Sequence, residues 1–110
     1  MTDGDGAASG PPSVDEIRSW VGHRLDGLSG ATVGRIEGPG RDGGADWLRC
    51  RMGRFGHHCL VPARDAVAAG GHVWVPYSRE QIRRAPKIEP SEALSPEREA
   101  DLVAYYGIVD

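Results

Sequence analysis

The chain has 110 residues, of which 39% are hydrophobic and 26% charged, with a formal net charge of −3. That suits one domain with a single modest core and argues against disorder of the whole chain. No apolar run approaches the roughly 20 residues of a membrane-spanning helix, and Met1-Thr2-Asp3-Gly4-Asp5 lacks the basic and apolar regions of a signal peptide. The sequence therefore reads as cytoplasmic, with no membrane insertion and with Cys50 and Cys59 as reduced thiols.

The charge is unevenly placed. Acids outnumber bases by seven to four up to Gly44 and by six to one from Ile88, whereas Ala45 to Lys87 holds eight bases against three acids. A basic middle between acidic ends could attract an acidic partner if its arginines share a face; dispersal around the exterior is the alternative.

Residues 1–12 are rich in Gly, Ala, Ser, Asp and Pro and read as a disordered tail. Ser13 or Asp15 can cap a short helical turn leading to Ile17 and Trp20. Alternation at Val21, His23 and Leu25 predicts a first strand, Asp26-Gly27-Leu28-Ser29-Gly30 a turn, and residues 33–37 a second strand. A Gly-rich loop follows over residues 38–45. Residues 47–52 then place Leu48, Cys50 and Met52 on one face and Trp47, Arg49 and Arg51 on the other. The turn at Gly53-Arg54-Phe55-Gly56 returns the chain through residues 57–61 to Pro62. Two further strands, residues 65–69 and 72–75, flank a Gly70-Gly71 turn. Ser78 with Gln81 marks a short helix to about Arg84, and Pro86 and Pro90 an extended linker. Ser95, Pro96, the early Glu97 and Glu99, and Gly107 are start and stop signals for a last helix. Its Leu102, Val103 and Tyr106 should dock on the barrel that the strands form, or on a second copy of it.

Several blocks give this order a resemblance. Asp26-Gly27-Leu28-Ser29-Gly30 precedes Val33-Gly34-Arg35-Ile36, then come Gly53-Arg54-Phe55-Gly56 and Leu60-Val61-Pro62. Val73-Trp74-Val75-Pro76-Tyr77-Ser78 follows with Gln81-Ile82 and Ala85-Pro86, and last Leu94-Ser95-Pro96 with Tyr105-Tyr106-Gly107. In this spacing the chain resembles the short bacterial subgroup of the PRC-barrel family, related to the cytoplasmic part of the photosynthetic reaction centre H subunit and to the ribosome maturation factor barrel. The resemblance implies a small barrel that serves as a docking or assembly module, without catalytic residues of its own.

The expected fold is all-β: a small, closed, six-stranded antiparallel barrel of the PRC type over residues 13–87, with a short helix, followed by a linker and a docked C-terminal helix over residues 88–110. Cys50, His57, His58 and Cys59 form the most chemical-looking cluster. A hairpin centred between Arg54 and Phe55 puts Cys50 opposite Cys59 and Met52 opposite His57. Buried thiols are the simplest outcome; a cross-strand disulfide, or a metal held by Cys50, His57 and Cys59, are the alternatives. His23 and His72 read as structural histidines. No nucleophile elbow, phosphate loop or paired-histidine metal motif is present, so the chain reads as no enzyme and needs no cofactor. Trp47, Arg49, Arg51 and Trp74, of residue types enriched at binding hot spots, form the candidate partner surface; coverage of one or both tryptophans by the C-terminal helix is the alternative. A protein-interaction or scaffolding module, homodimeric through the helix or a strand edge, is the expected function. A ribosome- or RNA-associated factor using residues 45–87 is the second expectation.

Overall fold

Three serines start the three α-helices found among the described residues. The hydroxyl of Ser13 accepts from the Glu16 N–H, and the Glu16 carboxylate accepts from the Ser13 N–H, a reciprocal cap opening α1, Val14–Ser19. Ser78 accepts from the Gln81 N–H at 3.0 Å to open α2, Arg79–Arg83. Ser95 accepts from the Arg98 N–H to open α3, Pro96–Tyr106, which stops at Gly107 in a left-handed conformation. All three helix starts are those predicted from sequence.

The computed structural model describes residues 11–40, 45–53, 57–87 and 94–108. The expected tail over residues 1–12 thus falls mostly outside the described residues, though Pro12 is buried. The tip of the expected hairpin turn, residues 54–56, and the linker over 88–93 also lie outside them.

Six strands are present among the described residues: β1 Arg24–Asp26, β2 Thr32–Pro39, β3 Trp47–Met52, β4 His57–Pro62, β5 Val67–Ala69 and β6 His72–Trp74. The β3–β4 register is the one expected, with Cys50 opposite Cys59 and Met52 opposite His57. Gly34 permits close approach of β2 and β3, because a Cβ there would meet the Arg51 carbonyl oxygen at 2.1 Å. β1 starts later than predicted, since α1 and its following turn absorb Val21 and Gly22, and Asp26 belongs to the strand.

The closed antiparallel barrel is not what forms. The strands make one open, mixed sheet in the order β4-β3-β2-β1-β6-β5, in which β1 and β6 run parallel. Closure would require β4 to pair with β5, and no such pairing forms. The Tyr106 hydroxyl of α3 donates to the Leu60 carbonyl at 2.9 Å, and α2 packs against β4 and β2. At three residues each, β1, β5 and β6 are also too short to curl the sheet round on itself.

Of the residues the alternation named, Leu25, Leu48, Cys50, Val61 and Val73 are sealed, joined by Ile36, Ile17 of α1, Ile82 of α2 and Leu102 of α3, whereas Val21 is exposed. Fully burying side chains of this size is worth about 1.5–3 kcal/mol each. Among the described residues no helix is long and apolar enough to cross a membrane.

Candidate functional site

Side chains directly opposite one another in a sheet share a face. Arg24 pairs with Arg35, Arg35 with Arg51, Arg51 with His58, and on the other side Arg24 pairs with His72. Five basic side chains on five adjacent strands therefore stand in one line, in the order His58, Arg51, Arg35, Arg24, His72. Four steps of about 4.8 Å make this row about 19 Å long. It lies at the surface: Arg35 and Arg51 are exposed, and the side chains of Arg24, His58 and His72 are 43%, 32% and 37% accessible.

Like charges opposite each other in a sheet repel, and two carboxylates offset part of that. Asp26, buried on β1, accepts from Arg24 Nε at 2.8 Å and lies 3.0 Å from His72 Nδ1. Burial pushes its carboxyl up, but the Arg24 and His72 hydrogen bonds and charges outweigh that and hold it below its ordinary value. Glu37, the extra residue where the β2–β3 register shifts, lies 2.9 Å from His58 Nδ1. Arg35 donates to the Gly22 carbonyl at 3.0 Å. Arg35 and Arg51, at the centre of the row, have no carboxylate partner among the described residues.

Next to this row stands Trp74. It lies on the same face as His72, two residues along β6, and the two rings stack at 5.6 Å with an interplanar angle of 15°. Trp74 is 38% exposed and sits opposite Val67, itself 63% exposed. Trp20 and Trp47 are buried, so Trp74 is the one tryptophan that solvent reaches.

Of the candidate surface, Arg51 and Trp74 are thus exposed on one face. Arg49 shares it but is half-buried and donates from Nε to the Pro39 carbonyl. Trp47 is a correction: its alternation is right, but it is 4% exposed, because its indole N–H donates to Glu99 at 2.9 Å and its ring lies 6.3 Å from Tyr106. Leu102 and Tyr106 do form the docking side of the last helix, buried within this chain, while Val103 is half-buried.

The sulfur cluster does not assemble as a ligand set. Cys50 and Cys59 are free and buried, and the Cys59 thiol donates to the Met52 sulfur at 3.3 Å. Burial pushes the Cys50 thiol up to about 12 and raises Cys59 as well. His57 is exposed and lines a basic concavity of about 210 Å³ with Met52, Gly53, Arg79, Arg83 and Lys87. Among the described residues no three His, Cys, Asp or Glu side chains are placed to hold a metal ion.

Sequence reasoning did not bring out Arg24, Asp26, Arg35 and Glu37, and took His72 for a structural residue. A signal for half the row existed: a β1–β2 hairpin puts Arg24 opposite Arg35. The other half depends on the parallel β1–β6 pairing, which no local pattern announces. No protein-family model matches the chain, and no curated protein sequence matches it. The likeness to PRC-barrel proteins accordingly rests on the motif blocks quoted above.

Proposed function

We propose that this chain is a non-catalytic, cytoplasmic docking module whose open sheet face receives an acidic macromolecule. The observation that carries this reading is the line of five basic side chains across the sheet, with Arg35 and Arg51 at its centre unpartnered by carboxylates among the described residues. Keeping like charges in register opposes folding, and a bound polyanion offsets that repulsion. The half-neutralised ends, at Asp26 and Glu37, orient their partners without cancelling the central charge. Two free, buried cysteines fit a reducing compartment.

The test is retention on immobilised heparin. The chain should bind at low salt and elute as salt rises, despite its net charge of −3, and Arg35→Glu with Arg51→Glu should pass through unretained. A wild-type chain that flows through at 50 mM salt overturns the reading. A second reading, self-association, is favoured by the β5 edge, where all three residues are exposed and, among the described residues, no strand pairs on the outer side. The helix face at Leu102 and Tyr106 is occupied within the chain, which leaves the edge as the route. Sedimentation of wild type against Val67→Lys tests it: a dimer lost in the variant supports self-association, and a monomer at every concentration ends it.

A further inference from the structure

Resting on the docking reading above, we infer that the acidic macromolecule is a single-stranded nucleic acid. Its phosphates follow the His58, Arg51, Arg35, Arg24 and His72 row, and a base stacks on Trp74.

Charge alone would accept an acidic peptide, a sulfated sugar or a nucleic acid, and the aromatic beside the row separates them. Trp74 is held parallel to the His72 ring, and His72 is fixed by the buried Asp26. The indole therefore stands in a set orientation at the end of the basic line, more than a third exposed. A cationic track ending in a fixed, solvent-facing aromatic is the arrangement that binds single strands, because phosphates supply the charge contacts and every base offers a π-face. Acidic peptides lack the second element along their whole length. A duplex keeps its bases stacked inside, and among the described residues this sheet face presents no helix or ribbon to enter a groove. The net charge of −3 and the presence of only three permanent cations in the row make the binding modest and salt-sensitive. Neutralising about three phosphates gives a slope of log affinity against log salt of about −2.

Trp74 also supplies the readout, since Trp20 and Trp47 are 8% and 4% exposed. The full chain is titrated with a fifteen-nucleotide oligo-dT, the same length of oligo-U, a fifteen-base-pair duplex and poly-glutamate, following tryptophan fluorescence and anisotropy at several salt concentrations. The single strands should quench Trp74 and bind with that salt slope. Trp74→Ala should weaken them about tenfold, and Trp74→Phe, which keeps a ring, by less, with the quench gone in both. Should Trp74→Ala fold poorly, the Phe variant and the quenching of wild type carry the test.

Equal affinity for poly-glutamate or for the duplex, or no change on removing Trp74, overturns the inference. Retention on heparin without oligonucleotide binding overturns it too, while leaving the docking reading in place. Failure on both defeats the two together.

Discussion

Around the second half of β4 the sheet is shut: Trp47, Leu60, Pro62 and Tyr106 are buried, α2 packs on the strand, and the Tyr106 hydroxyl takes one of its carbonyls. At the β6–β5 end the same sheet is open, with Trp74 and Val67 in solvent and Arg24 and His72 half-exposed around a single buried carboxylate. Both regions are built from short strands, six residues in β4 and three each in β5 and β6. What differs is whether another element arrives to cover the polar side. At β4 the last helix arrives; at β5 and β6 nothing among the described residues does. An edge that is covered contributes stability, and one that is open costs some and leaves room for a partner.

Removing the cover should therefore be the most damaging change. Leu102 of α3 is 0% exposed, and Leu102→Ala should lower stability by about 2–5 kcal/mol in urea denaturation. A loss below about 1 kcal/mol would mean that α3 is only loosely attached and that the two ends are alike. Tyr106→Phe keeps the ring against Tyr77, at 5.0 Å, and removes only the hydroxyl that serves the Leu60 carbonyl. Leaving that buried acceptor unmet should cost about 1–2 kcal/mol.

How far this contrast was legible beforehand depends on the range of the interactions. Ser78, Ser95, Pro96 and Gly107 announced their helices because caps act within one turn. The pairing of Cys50 with Cys59 was readable because hairpin length fixes register. That the last helix covers Trp47 and not Trp74 was open between alternatives, since the partner of Trp47, Glu99, lies 52 residues away. The open sheet was not readable, because pairing β1 with β6 instead of β5 with β4 is a choice among distant strands of similar propensity. The candidate site suffered from the same limit. The basic segment 45–87 supplies Arg51, His58 and His72, but Arg24 and Arg35 come from the acidic first part of the chain.

The open end should show its own signature in pH. Asp26 has its carboxyl held below the ordinary value, so the stabilisation it provides is fully present above the unfolded value near about 4. That stabilisation is lost as pH falls through the depressed folded one. Wild-type stability should decline in acid over that window, and Asp26→Asn should already be weakened at pH 7 and lose less on acidification. Parallel pH profiles for the two would remove Asp26 as the organiser of Arg24 and His72.

The smallest expected effect discriminates most sharply, because its sign is unusual. Arg51 stands between Arg35 and His58 on a solvent-facing row, and it has no carboxylate partner among the described residues. If the fold alone accounted for Arg51, replacing it should be neutral or harmful. If the row is kept for a partner, its repulsion is a cost carried by the free protein, and Arg51→Glu converts the Arg35–Arg51 repulsion into attraction. The variant should gain a few tenths of a kcal/mol, about 0.2–1, seen as a higher urea midpoint at unchanged slope. The gain should shrink as salt screens the row, and it should come with loss of heparin binding. A lowered midpoint would assign Arg51 to the architecture of the sheet and take the centre out of the proposed face.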